Sequence, residues 1–226
     1  MKLPEVERTK VKEVTLDMAR NMESAIRTSF PNAKVVTDRF HVVKLVLDAL
    51  QHIRIKHRWI EIEGENERLH LSRTTGIKYC ERVLENGDTF KQLLARSRYI
   101  LAKDSKLWTE NQKHRSVILF REFPLIKKMY HHVMNFRNIY ENKNKEVAKI
   151  QFEQWILKTK KLKIKEFNST AKSIQNHLDN ILNFFDNRST NANAESFNSK
   201  IKLFRANQRG VSDTKFFLFR LYKLFA

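Results

Sequence analysis

The sequence predicts an α/β fold that is mostly helical, in which a parallel strand–helix–strand unit precedes a long all-helical part. Four glycines and three prolines occur in 226 residues, so few positions interrupt the backbone, and long helices are favoured over a sandwich or barrel with many turns. The β-branched runs lie near the start of the chain, and after them apolar residues recur at helical spacing.

The two predicted strands are short β-branched runs, and each is followed by an aspartate. Residues 11–16 end at Asp17, and residues 34–37 end at Asp38. One helix face between them is formed by apolar residues four positions apart: Met18, Met22, Ile26 and Phe30. A crossover of this length makes the strands parallel neighbours. Both aspartates are therefore expected at the carboxyl ends of adjacent strands, where open α/β sheets bind ligands.

The rest of the chain is predicted to be helical. Apolar spacing, a capping box at Thr109 and a proline suited to a first helical turn, Pro124, define the segments. The predicted helices are 41–59, 90–101, 110–122, 124–140, 145–160, 167–185, 194–206 and 213–225. Residues 60–88 contain three of the four glycines and little periodicity, so a short helix and a loop are expected there.

Composition restricts the function. The formal net charge is +19, and such an excess indicates a polyanionic partner, most often nucleic acid. A single cysteine, Cys80, excludes an intramolecular disulfide framework and a cysteine-rich zinc module. No apolar run is long enough for a membrane span, and the N-terminus lacks the pattern of a secretory signal, so no membrane association and a cytoplasmic location are expected.

The helix predicted from Ala194 has two distinct faces. A buried stripe is expected from Ala194, Phe197, Ile201 and Phe204, and the adjacent face carries Glu195, Asn198, Lys202 and Arg205. That second face is either an ordinary solvated surface or one on which Glu195 holds a divalent metal and the cations meet phosphates. Two carboxylates at strand ends and one on a late helix are typical of metal-dependent phosphoryl-transfer nucleases, although spacing alone does not bring them together.

Three blocks of residues resemble one known family. The strand before Asp17 is Val14-Thr15-Leu16, the next strand leads into Asp38-Arg39-Phe40-His41, and Thr190-Asn191 precedes a block from Glu195 through Asn198 to Lys202. The chain resembles, over essentially its whole length, the DDE transposases of the bacterial ISL-three insertion-sequence family. This resemblance implies a partial RNase H-like fold with a large helical insertion, and DNA as the substrate.

The resemblance also implies roles for individual residues. Asp17 and Glu195 match the second and third catalytic acids, which would bind Mg²⁺ or Mn²⁺. Asp38 and His41 form a pair expected to support the site through hydrogen bonds, although Asp38 could exchange roles with Asp17 as a catalytic acid. Polar positions flanking the third acid are matched by Asn191 and Asn198.

The resemblance divides the chain into a partial catalytic core at 1–58, a helical insertion at 59–185 and C-terminal core helices at 186–226. DNA contacts are expected on the C-terminal helix and on a basic helix of the insertion, where a solvated face is the alternative. The predicted contacts are Lys200, Lys202, Arg205, Lys91, Arg96 and Arg98. In the intact enzyme, a homo-oligomer is expected to bind transposon ends and target DNA.

One departure from the family pattern concerns the first catalytic aspartate. In that family it lies well upstream of the second, and sixteen residues precede Asp17 here. The chain is therefore expected to be a C-terminal fragment that cannot complete a three-acid site alone, and Mg²⁺-dependent DNA cleavage by the purified chain would contradict this. The alternative functions are a non-catalytic basic DNA-binding remnant or regulator, and an unrelated helical scaffold that binds an acidic protein.

Overall fold

A computed structural model of the chain describes residues 4–18, 20–208 and 210–225. The N-terminal part consists of α1 (Glu5–Lys10), β1 (Glu13–Leu16), α2 (Arg20–Ser29), β2 (Lys34–Thr37) and the long α3 (Arg39–Thr75). The middle part contains α4 (Phe90–Arg96), α5 (Arg98–Ala102), α6 (Glu110–Glu122), α7 (Pro124–Ile139) and α8 (Lys145–Leu162). The last elements are α9 (Lys165–Asn176), α10 (Leu178–Leu182), α11 (Phe184–Asn187), α12 (Ala192–Asn207) and α13 (Thr214–Phe225).

The two strands form a parallel pair, as predicted. Their register pairs Glu13 with Lys34 and Leu16 with Thr37. The backbone N–H of Asp38 donates to the carbonyl of Leu16 at 2.8 Å, which closes the pair at its carboxyl end. Residues 35–37 of β2 are buried, whereas most of β1 is half-buried. The inner strand therefore joins the sheet to the helical body.

Helix α3 is much longer than the sequence predicted. It runs for 37 residues and passes through Gly64, so the predicted end of this helix at residue 59 is wrong, whereas the loop predicted within residues 60–88 is present after Thr75. One glycine in a helix interior costs only about 1 kcal/mol, and the glutamates, arginine and leucine around it are good helix formers. The helix ends at Gly76, whose φ of 74° suits a left-handed C-cap.

The core lies among helices α3, α7, α8 and α9. Seven residues of α7 are buried, and an aromatic cluster joins this helix to α8 and α11. Its rings belong to Phe136, Tyr140, Phe152, Phe184 and Phe185. The helix predicted over 167–185 is divided into α9, α10 and α11, with breaks at His177 and Asn183. Its apolar positions are buried nonetheless, because short helices in series keep the same face toward the core.

The C-terminal helices α12 and α13 pack on each other through aromatic rings. Phe204 stacks on Phe217 at 5.6 Å between centroids, and Phe197 meets Phe225 edge to face at 5.8 Å. No side chain that the structure describes in these two helices is buried. The prediction of a buried stripe on α12 is therefore wrong, since Phe197 is 45% exposed and Ile201 and Phe204 are only half-buried. The aromatic contacts of this stripe among the described residues are with α13, and one helix is too little to bury it. Within the described part of the chain, no helix combines the length and apolarity that a membrane span requires.

Candidate metal centre

Several side-chain contacts hold the turn that connects α11 to α12. Asp186 forms ion pairs with Lys34 and Lys145, and Asn187 donates to the Glu13 carboxylate at 2.9 Å. The two lysine ammonium groups hold the pKa of Asp186 below its ordinary value. Arg188, in the left-handed region at a φ of 54°, donates to the carbonyl of Asn142 at 2.5 Å. These contacts hold the turn against the amino-terminal ends of β1 and β2 and against the connection between α7 and α8.

Asp38 connects the starts of two helices. One carboxylate oxygen accepts the N–H of Phe40 at 2.8 Å and so caps α3, and the other accepts the N–H of Asn191 at 3.1 Å from 153 positions away. The side chain is only 3% exposed. Each oxygen has a second lone pair in addition to the one used by its N–H. Asp38 is therefore fixed in orientation and can still accept one further contact.

His41 and Glu195 complete a cluster around this carboxylate. His41 lies one turn into α3 from Asp38, and its Nε2 is 3.4 Å from Oε1 of Glu195 in the first turn of α12. One ligand atom from each of Asp38, His41 and Glu195 lies within 4.8 Å of the others. Two carboxylates and one imidazole at such spacing fit a divalent cation, with histidine favouring Mn²⁺ over Mg²⁺. The burial decreases from Asp38 to Glu195, so the cluster is open to solvent on the Glu195 side.

Asp17 lies beside this cluster and is not among its three members. It follows β1, is exposed, and shares a concavity of about 320 Å³ with His41, Lys44 and Asp48. His41 thus borders both the cluster and the concavity that contains Asp17. The structure therefore brings together Asp38, His41 and Glu195, and it places Asp17 next to them.

A sequence comparison agrees with this geometry. The profile of a family described as transposase, that of the ISL-three DDE transposases, matches residues 1–221. The chain belongs to this family. Neither a curated protein nor a solved structure gives a significant match to the chain. The two segments that meet at the cluster, residues 38–41 and 190–202, are two of the three blocks that carry the resemblance of the sequence to these transposases.

A second concavity is lined in part by Asp38. Its volume is about 380 Å³, and Glu195, Arg39, Phe40 and Arg137 contribute to its wall. The ring of Phe40 is 58% exposed, and the guanidinium of Arg39 lies 5.3 Å from the ring centroid of Tyr140. Sequence reasoning assigned Glu195 but gave no role to Arg39, Phe40 or Arg137. Arg39 and Phe40 stand within the Asp-Arg-Phe-His motif and could have been found there, whereas Arg137 carries no signal in the sequence.

The predicted DNA contacts of this transposase-family chain differ in their surroundings. Lys200, Lys202 and Arg205 are exposed on α12. In the insertion, by contrast, Lys91 pairs with Glu65 at 2.5 Å and with Glu81 at 3.4 Å, and Arg96 pairs with the buried Asp88. The guanidinium of Arg98 lies 5.7 Å from the ring centroid of Tyr99. Asn191 meets Asp38 through its backbone N–H, and Asn198 is exposed on α12.

Proposed function

We propose that this chain carries part of the catalytic site for DNA transposition, by metal-dependent cleavage of DNA strands and transfer of the freed 3′ ends. The observation that carries the proposal is the convergence of two distant segments, since Asp38 at the start of α3 binds the first residues of α12 and brings Glu195 to His41. Membership of the transposase family supports DNA as the substrate.

The proposed roles follow from exposure and hydrogen bonding. Asp17 and Glu195 are exposed carboxylates, which suits ligands of Mg²⁺ or Mn²⁺. A divalent ion bound there would stabilise negative charge on the phosphate oxygens and activate the attacking hydroxyl or water. Each carboxylate oxygen of Asp38 accepts one backbone N–H. Its main role in the proposal is therefore to position Glu195 and His41. His41 is 3.4 Å from Glu195 and lines the concavity that contains Asp17, so it is assigned a supporting role at the site.

The larger architecture belongs to the same proposal. We assign a partial RNase H-like core to residues 1–58 and 186–226, and the helical insertion to residues 59–185. The parallel pair with its crossover helix, followed by helices, supports this division. We also propose that the protein assembles as a homo-oligomer on transposon ends, in the cytoplasm of a bacterium.

Metal binding by the purified chain tests the site. Mn²⁺ binding is measured by electron paramagnetic resonance, and the Glu195→Gln variant is expected to weaken it about 10-fold or more, as expected when a carboxylate ligand loses its charge. Glu146→Gln is the matched control, because Glu146 is also an exposed glutamate in the first turn of a long helix. Equal binding by both variants would show that the cluster is not a metal site.

The same measurement separates the two functional readings. A catalytic-site fragment binds Mn²⁺ through Glu195, whereas a non-catalytic DNA-binding remnant binds DNA with no dependence on metal and has no such site. Isothermal titration with Mg²⁺ and Mn²⁺ then establishes which ion the donors prefer. Stronger binding of Mn²⁺ is expected if the imidazole of His41 is a ligand.

A further inference from the structure

Helices α7 and α8 border a groove that contains none of the residues of the Asp38, His41 and Glu195 cluster. The helices are antiparallel, and two adjoining concavities of about 330 and 250 Å³ share His132, Asn135 and Lys158 in their walls. Together these concavities run from Lys128 to Ile139 along α7. Eleven residue steps of an α-helix are about 16 Å, roughly five nucleotide steps along one strand of a DNA duplex.

The polar lining of this groove consists of cations, imidazoles and amides. It contains Lys128, Lys158, Lys161, His131, His132, Asn135, Gln151 and Gln154. No carboxylate of the described residues lines it, and within that part of the chain none of its three lysines forms an ion pair. The basic helix α4 differs, because Lys91 and Arg96 are paired with carboxylates of the chain itself. The lysines of the groove can therefore attract a negatively charged ligand.

The floor of the groove is held in place by its own contacts. The His132 ring stacks on Trp155, with 4.7 Å between centroids and 12° between planes. Its Nε2 lies 2.7 Å from the Thr159 hydroxyl, and Trp155 Nε1 donates to the carbonyl of His132 at 3.0 Å. Burial, followed by the charges of Lys158 and Lys128, lowers the pKa of His132 to about 4. The floor is thus uncharged at neutral pH, and the lysines on its two sides supply the charge.

We infer that the α7–α8 groove binds the sugar–phosphate backbone of DNA. Lysines attract phosphates without reading sequence, and amide side chains donate hydrogen bonds to phosphate and sugar oxygens. The choice of DNA among polyanions rests on the proposed function. The location does not, because it follows from the unpaired lysines and the absence of carboxylates in the described lining.

Binding of a short fluorescein-labelled DNA duplex, followed by fluorescence anisotropy in EDTA over a range of NaCl concentrations, tests this inference. The triple variant Lys128→Gln, Lys158→Gln, Lys161→Gln is compared with Lys106→Gln, Lys149→Gln, Lys172→Gln. The control removes three exposed lysines that do not line the groove. All six side chains lie outside the buried core, and far-UV circular dichroism checks that both variants fold.

The groove variant is expected to bind about 10- to 100-fold more weakly near 0.15 M salt, and its log–log salt slope should be smaller by about 2.7, at ~0.9 per lost phosphate contact. The control should change both quantities much less. Equal losses in the two variants would overturn the inference, since they would reflect total charge alone. Displacement of DNA by polyglutamate at equal charge concentration, or tighter binding of a duplex RNA of the same sequence, would also overturn it.

The two proposals fail separately. The DNA titrations are carried out in EDTA, so no metal takes part in them. Loss of affinity in the groove variant supports the inference whether or not the chain binds Mn²⁺. Conversely, Mn²⁺ binding through Glu195 supports the proposed function even if the groove variant binds DNA normally.

Discussion

The half-buried imidazole of His132 predicts a specific dependence of stability on pH. Burial against Trp155 lowers its pKa from 6.5 to about 4. Between these two values the unfolded chain binds a proton that the folded chain excludes, so the free energy of unfolding falls as pH falls through this window. A shift of this size corresponds to at most about 3 kcal/mol, at ~1.36 kcal/mol per pKa unit, and screening by solvent at this half-buried ring reduces that figure. The full contribution is present above the unfolded-state pKa and is lost as the pH approaches 4.

The substitution His132→Phe is expected to remove this dependence. A phenyl ring can keep the stacking on Trp155, and the Thr159 hydroxyl still donates to the carbonyl of Trp155 at 2.7 Å. Urea unfolding, followed by tryptophan fluorescence from neutral pH down to about 4.5, gives the free energy of unfolding of both proteins. As the pH falls, the free energy of unfolding of His132→Phe should rise relative to that of the unchanged chain.

His131→Phe provides the control for the loss of one histidine, because the His131 side chain is exposed beside the same groove. It should leave the pH dependence of unfolding nearly unchanged. Parallel curves for the unchanged chain and His132→Phe would refute the reasoning, because they would show that the folded state does not exclude the proton from this ring.

Three further changes have expected results in the same unfolding assay. Asp88→Asn should lower the free energy of unfolding by about 2–4 kcal/mol, because the fully buried carboxylate pairs with Arg96 and Arg115. An unchanged free energy of unfolding would mean that solvation of the two guanidinium groups fully replaces their pairing with Asp88. Gly64→Ala should raise it by about 0.5–1 kcal/mol, since only the flexible Arg68 lies near the added methyl group, and a decrease would contradict the helical spacing there. Asp38→Ala should lower it by about 1–3 kcal/mol through loss of the cap and of the link to α12, and should weaken Mn²⁺ binding as well, whereas unchanged binding would exclude a positioning role.

The sequence predicted best where one local signal decides the structure. The parallel pair, the capping box at Thr109 and the helix begun by Pro124 are all present. The error at residues 60–75 arose because glycine was taken as a stop, although a helix stops only when several signals agree. Gly76, where the backbone adopts a positive φ, is the residue that ends the helix.

The grouping of Asp38, His41 and Glu195 could be predicted only in part. The pair Asp38 and His41 is visible because the residues are three apart, and Glu195 stands out on its helix. Their meeting depends on long-range bonds such as that between the Asn191 N–H and Asp38, for which spacing gives no signal. The buried stripe expected on α12 was wrong for a related reason, since periodicity shows which face is apolar and not how much of the chain covers it.

Helix α3 gives the chain a mechanical property. Its first turn is capped by Asp38 of the cluster with His41 and Glu195, and its buried residues extend only to Arg54. Beyond Arg54, an ion pair between Glu65 and Lys91 connects the helix to α4. A helix of 37 residues is about 55 Å long. Because the residues up to Arg54 are packed in the core, a tilt of the free part would pivot near Arg54, and about 5° over the roughly 31 Å beyond it would move the far end by about 3 Å. A spectroscopic label in the last turn before Gly76, paired with one in the core, would measure this tilt as a change in distance.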